Sequence, residues 1–240
     1  METINELFSA TNLKIYQDSE GFNFSLDSIL LAKFVTIKKN IKKILDIGTG
    51  NAPIPLLLSK KTKATIIGVE IQEQVAKLAE KSVNINNLRE QIKIENMDIN
   101  DYVRDQTSDI FDTIVCNPPF FPIAENVRLS QSEAKQIARH EIRMDLETIF
   151  RVARKLLINQ GNVAIVNRPE RLIEIITIMK ENNIQPKRVQ MVFPKVDQRA
   201  HILLIEGTKN GKVGLIIEPP LVIHEKDGSY TEMAQNYFRR

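Results

Sequence analysis

One cysteine, Cys116, stands in 240 residues, which excludes an intrachain disulfide framework and a cysteine-rich zinc site. There are three histidines, and no grouping of His, Asp and Glu has the spacing of metal ligands, so no metal is expected. No apolar run approaches the ~20 residues of a membrane span. The opening METINELFSATNLKIYQDSEG lacks the basic start and apolar stretch of a secretion signal. Excess charge is also scarce: the net value is +3, which by itself gives no argument for a nucleic-acid partner. Hydrophobic residues at 42% and charged residues at 26% exclude a disordered chain. A domain this long buries roughly 70–75% of its extended-chain surface and needs no covalent or metal staple. The expectation is a soluble, cytoplasmic, monomeric domain over residues 1–240, with no membrane contact and no obligate protein partner.

The small net charge hides an uneven distribution. Residues 1–120 carry −2 and residues 121–240 carry +5, and only Arg89 and Arg104 of the 13 arginines lie in the first half. A guanidinium is a planar fork matched to phosphate, whereas an ammonium is a strongly hydrated point charge. The second half therefore reads either as a polyanion-binding surface or as an ordinary solvated face.

Apolar runs alternate with amphipathic stretches. Lys43–Ile47, Thr65–Val69, Ile92–Ile94 and Phe111–Cys116 read as buried strands. Pro53 to about Lys61 and Gln72–Asn86 read as helices, the first opened by a proline whose missing N–H costs nothing there. Further on, Asp145–Leu157 is a helix with Asp145 as N-cap, Asn162–Val166 a strand and Pro169–Asn182 a helix. Arg188–Phe193 and His201–Ile205 form an antiparallel pair. The fold class is α/β: an open, mostly parallel, Rossmann-like sheet with an antiparallel C-terminal hairpin and helices on both faces.

The first strand runs into Asp46-Ile-Gly48-Thr49-Gly50-Asn-Ala-Pro53. Two glycines allow a tight turn and close approach of a ligand to the backbone, and the following helix N-terminus adds unpaired N–H groups. A dinucleotide fingerprint has Gly or Ala where this chain has Pro53, and Asp46 repels a pyrophosphate but suits an ammonium. Glu70 lies 22 residues after Gly48, the usual spacing for a carboxylate that accepts ribose hydroxyls. Asp98, at the third strand end, can accept from an adenine amine. Ligands of this fold bind at the carboxyl ends of the strands. Three acids at successive ends call for a ligand with an amino-acid end, a ribose and an adenine: S-adenosylmethionine. Ile71 and Ile99, next to two of these acids, join the candidate cofactor contacts.

Asn117-Pro118-Pro119-Phe120 ends the fourth strand. Chance produces Asn/Asp/Ser-Pro-Pro-aromatic in about one chain in a hundred of this length, so its position at a strand end is informative. The prolines stiffen the backbone. The Asn117 side-chain oxygen and the Pro118 carbonyl can then accept from a planar –NH2 group and aim its lone pair, while Phe120 stacks on an unstacked base. Phe121 extends that wall, and Cys116 reads as buried packing.

With Phe24-x-x-Asp27-x-x-Leu30-Leu-Ala32 upstream and Pro219-Pro-Leu221, Tyr230-Thr-Glu232 and Tyr237-Phe238 at the end, the chain resembles the class I S-adenosylmethionine-dependent amino-methyltransferases. Within them it is most similar to the bacterial tRNA(Val) adenine-37 N6-methyltransferases. The resemblance implies that residues 1–40 form an N-terminal accessory segment and cofactor lid, with Phe24 and Asp27 facing the cofactor, and that residues 208–240 form a C-terminal accessory segment. It also implies a tRNA substrate, for which Phe121, Arg139, His140, Arg143, Arg168, Lys195, Arg199, Arg239 and Arg240 are candidate contacts. The tetrapeptide is shared with guanine-N2 and protein glutamine-N5 methyltransferases, so those targets remain open. So does a non-catalytic RNA-binding protein on the same fold.

Overall fold

A computed structural model describes residues 2–8, 12–18, 25–118 and 145–239. The chain opens with an antiparallel hairpin, β1 (Glu2–Phe8) and β2 (Leu13–Asp18), which forms a small sheet of its own. Helix α1 (Leu26–Phe34) follows, then β3 (Lys43–Ile47), α2 (Pro53–Ser59), β4 (Thr65–Glu70), α3 (Glu73–Ile85) and β5 (Ile92–Asn96). Next come α4 (Ile99–Arg104), β6 (Phe111–Cys116), α5 (Leu146–Leu156) and β7 (Leu157–Asn167). A 3₁₀ turn at Pro169–Arg171 leads into α6 (Leu172–Glu181), then β8 (Ile184–Lys195) and β9 (Ile202–Lys209). Two short strands, β10 (Ile216–Ile217) and β11 (Leu221–His224), precede a closing helix, α7 (Glu232–Arg239).

The main sheet has nine strands in the order β10-β8-β9-β7-β6-β3-β4-β5, with β11 also pairing to β8. Only β9 runs against its neighbours, β7 and β8; every other pairing is parallel. The expected open parallel sheet with a closing antiparallel pair is therefore present, with β9 inserted between β7 and β8. Strand order reverses between β3 and β6, so the crevice beyond their carboxyl ends is the topological switch point where this architecture binds ligands.

Alternation along the strands explains why the sheet is covered on both faces. Ile44, Val115, Ala164 and Leu204 pack with β2, α1, α2 and α7 on one side, whereas Leu45, Ile47, Ile114, Cys116 and Ile165 pack with α4, α5 and α6 on the other. Asp145 caps α5 as anticipated, accepting from Thr148 N–H at 2.7 Å. Pro53 sits in the first turn of α2. Some boundaries move. The helix expected from Pro169 begins as the 3₁₀ turn, and the strand expected at 162–166 extends back to Leu157 across an irregularity in its pairing with β6.

Two features without a signature in the sequence position the crevice. The outer edge of β2 is completed by side chains. Lys14 exchanges both backbone bonds with the Asn86 carboxamide, Tyr16 N–H donates to Ser82 Oγ, and the Tyr16 carbonyl accepts from Asn51 Nδ2 at 2.8 Å. The hairpin is thereby tied to the loop after β3. The far end of α1 is held by a polar cluster. Buried Glu206 accepts from Thr36 N–H and Oγ1, both at 2.7 Å, and from Asn162 Nδ2 at 3.1 Å. Arg188 donates to the Phe34 carbonyl and Thr36 Oγ1, and its Nε pairs with Glu218 at 2.8 Å.

Candidate active site

The loop after β3 is built by backbone geometry that few residues tolerate. Gly48 and Gly50 have φ of 67° and 60°, and Ala52 follows at 71°. Glycine adopts this left-handed conformation without a Cβ penalty. The turn is pinned by Gly48 and Thr49 N–H groups, which both donate to the Val69 carbonyl, at 2.9 and 3.0 Å. Gly68, opposite Asp46 in the β3–β4 register, clears room for Thr49: a Cβ there would lie 2.8–2.9 Å from the Thr49 side chain.

Three acids meet this loop in different ways. Asp46 is fully buried; its Oδ2 accepts from Thr49 Oγ1 at 2.6 Å, and its Oδ1 has no partner among the described residues. Burial pushes its carboxyl up to about 7, against the opposing Thr49 hydrogen bond and with a further upward push from the Glu70 charge. Glu70, the last residue of β4, is nearly buried and accepts from Gly50 N–H at 3.0 Å through one oxygen and from Gln72 N–H at 2.9 Å through the other. It anchors the glycine loop to the next strand. Asp98 is half-buried and caps α4, accepting from the Asn100 backbone N–H at 2.9 Å. Ile71 is partly exposed beside Glu70, and Ile99 is buried behind Asp98.

Because Ile47 pairs with Cys116, Gly48 and Asn117 leave neighbouring strands side by side. Asn117 Nδ2 donates to Ser28 Oγ on α1 at 3.0 Å. Ser28 is buried, and its neighbour Asp27 has its carboxyl raised by burial, with Arg168 opposing that shift. Pro118 is buried. Cys116 is buried too, and burial with the Asp46 charge nearby pushes its thiol well above the ordinary range, in keeping with packing and not nucleophilic chemistry.

One edge of the sheet thus brings together Asp27, Asp46, Gly48, Thr49, Gly50, Glu70, Ile71, Asp98, Ile99, Asn117 and Pro118. Phe24, Pro119, Phe120, Phe121, Arg139, His140, Arg143 and Arg240 lie outside the described residues. Among the remaining basic candidates, Arg168 follows β7, donates to the His201 carbonyl at 3.0 Å and acts electrostatically on Asp27. Lys195 ends β8, with its Nζ on the Lys226 carbonyl at 3.1 Å, and Arg199 is exposed in the β8–β9 loop. Arg239 ends α7. Sequence reasoning missed Ser28, Asn51 and Gly68. Ser28 had a weak signal, as a lone hydroxyl beside Asp27 in a mostly apolar run, whereas Asn51 needed its contact with β2 and Gly68 the strand register.

No described helix is long and apolar enough to cross a membrane, and the described residues contain no group of three or more His, Cys, Asp and Glu that could hold a metal ion. An open sheet covered on both faces, with a glycine turn, acidic strand ends and an Asn-Pro step around its switch point, defines a Rossmann-like methyltransferase. The chain belongs to the methyltransferase small domain family, which matches residues 25–187.

Relatives extend the match over most of the chain. The tRNA1(Val) (adenine(37)-N6)-methyltransferase of Parabacteroides distasonis is 27% identical over 98% of this chain and 98% of its own. The protein of that name from Trichodesmium erythraeum is 32% identical over 66% of each. Among solved structures, a predicted O-methyltransferase from Agrobacterium tumefaciens aligns with a TM-score of 0.70 at 18% identity, covering 89% of this chain and 97% of that one. M. capricolum TrmK in complex with S-adenosyl-homocysteine aligns at 0.53 and 17% identity, covering 80% and 71%. Those likenesses are of fold.

Proposed function

We propose that this protein transfers a methyl group from S-adenosylmethionine to the exocyclic N6 amine of an adenine in tRNA, adenine 37 of tRNA(Val) in particular. The observation that carries the reading is Asn117. It leaves β6 beside the glycine turn with its amide nitrogen tied back to Ser28, which assigns the opposite end of the carboxamide, its oxygen, to accept from a substrate. Relatives bearing that activity in their names match nearly the whole chain, which supports the choice of adenine and tRNA.

The residues present fit the cofactor. Asp46 Oδ1, buried and without a partner among the described residues, suits an ammonium group. Each Glu70 oxygen takes one backbone N–H and keeps a lone pair for a ribose hydroxyl. Asp98 is the acceptor for the adenine amine, and Asp27 and Phe24 close the methionine side, with residues 1–40 serving as the lid. When bound, S-adenosylmethionine supplies an electrophilic methyl on a sulfonium. The protein's own part is to place the nucleophile. Asn117 Oδ1 and the Pro118 carbonyl accept the two N–H bonds of the target amine and turn its lone pair toward the methyl, and such alignment is worth several kcal/mol of barrier. No strong base is required, because the amine becomes acidic only after alkylation. Phe120 stacks on the extruded base, with Pro119 and Phe121 completing the wall. Phosphate contacts fall to Arg139, His140, Arg143, Arg168, Lys195, Arg199, Arg239 and Arg240.

Incubation with methyl-labelled cofactor and either total RNA or total protein tests this. Label should enter RNA as N6-methyladenosine, and Asn117→Ala should abolish transfer while cofactor binding survives. Label in N2-methylguanosine or in protein glutamine would replace the assigned target, and absence of cofactor binding would leave a non-catalytic RNA binder.

A further inference from the structure

A carboxamide has a donor end and an acceptor end, and the proposed chemistry works with only one of them turned to the substrate. With the nitrogen outward, Asn117 would face a target –NH2 with another –NH2, donor against donor. Its neighbours decide which end faces out. Among the described residues, Asn117 Nδ2 donates to Ser28 Oγ at 3.0 Å. Ser28 lies in the first turn of α1, is 4% exposed, and its own backbone N–H is taken by the Ser25 carbonyl at 3.2 Å. The hydroxyl is therefore held on a packed helix whose far end is clamped by the Arg188–Glu206 cluster. In this arrangement it accepts from Nδ2, and it does not wander as a surface side chain would.

We propose that Ser28 is a positioning residue: by accepting from Asn117 Nδ2 it fixes the carboxamide with Oδ1 facing the substrate amine. The inference rests on the functional reading above for what Oδ1 does, and on geometry alone for how Asn117 is held. A merely structural role, in which the bond helps seat α1 on the sheet, would give a different pattern of effects. Replacing Asn117 by aspartate separates the two, because a carboxylate has two equivalent acceptor oxygens and no wrong end.

The test uses the full-length enzyme and four proteins: wild type, Ser28→Ala, Asn117→Asp and the double variant. Ser28→Ala should lower kcat about five- to tenfold, the loss of one net hydrogen bond's worth of alignment. The RNA KM and the cofactor Kd should stay within twofold. In the Asn117→Asp background, Ser28→Ala should change kcat less than twofold. A second measurement needs no turnover: the Asn117 side-chain carboxamide signal in a ¹H–¹⁵N spectrum, assigned by its disappearance in Asn117→Asp, should shift in Ser28→Ala and exchange faster with solvent. Equal losses of kcat in both backgrounds, a kcat for Ser28→Ala within twofold of wild type, or an unmoved carboxamide signal would each overturn the proposal. If Asn117→Asp is too slow to assay, the spectrum decides. The spectrum reads the pin whatever the substrate is, so failure of the pin and failure of the RNA reading come from different measurements.

Discussion

Glu70→Gln is the substitution that best separates cofactor binding from loop architecture. The carboxylate accepts one backbone N–H on each oxygen, Gly50 at 3.0 Å and Gln72 at 2.9 Å, and is 6% exposed. Glutamine has the same shape but a single acceptor oxygen. One of the two N–H groups then faces an amide nitrogen, losing a charge-assisted bond and leaving a poorly paired donor, at a cost of about 2–3 kcal/mol. For a chain of this length that is a fall in Tm of roughly 4–12 °C. One of the two ribose acceptors is lost as well, which weakens cofactor binding by about 1.5–3 kcal/mol, or roughly 10–100-fold in Kd. Thermal melting of the free protein and calorimetric titration with S-adenosylhomocysteine read the two effects separately. A lowered Tm with a Kd within threefold of wild type would make Glu70 a loop anchor and nothing more. An unchanged Tm would refute the anchoring argument itself.

The pH dependence of binding follows from Asp46. Its carboxyl is raised to about 7, chiefly by burial, so in the free protein it contributes stability that is full below about pH 4 and lost as pH rises through about 7. An ammonium beside Oδ1 favours the carboxylate, so cofactor affinity should rise between about pH 5 and 7 and level off above. Titrations in buffers of different ionisation enthalpy should show proton release below that plateau. A flat profile would place the ammonium elsewhere. Gly68→Ala should push Thr49 off Asp46, since the new methyl would lie within 2.9 Å of the Thr49 side chain. The expected cost is about 1–3 kcal/mol in denaturant melts, with weaker cofactor binding. Glu206→Ala strips the acceptor from Thr36, Asn162 and Arg188 and should cost about 3–5 kcal/mol in denaturant melts.

The central sheet was readable from the sequence because its strands are buried on both faces. Lys43–Ile47 and Phe111–Cys116 are short apolar runs bounded by a glycine turn and a proline pair, and both match the observed strands end to end. The acids at the strand ends were legible for the same reason: spacing from Gly48 is fixed once strand and helix lengths are. What escaped was structure made by contacts distant in sequence. The hairpin Glu2–Asp18 has no apolar run of its own and takes its outer edge from Asn51, Ser82 and Asn86. Helix α1 is buried nearly all round, so it lacks the amphipathic period by which surface helices announce themselves. Helix α7 is short, and its anchor, Tyr237 Oη on the Leu30 carbonyl at 3.3 Å, spans most of the chain. Ser28 was invisible as a partner of Asn117 because 89 residues separate them.

The proposed reaction is delivery of a methyl group by this crevice to an adenine amine. Purified protein, methyl-labelled S-adenosylmethionine and an unmodified tRNA(Val) transcript, followed by digestion and nucleoside mass spectrometry, test it most directly. N6-methyladenosine should form at position 37, and none when that adenine is changed to guanine. Labelled N2-methylguanosine, or a transcript left unlabelled while a protein fraction takes up the methyl group, would contradict it.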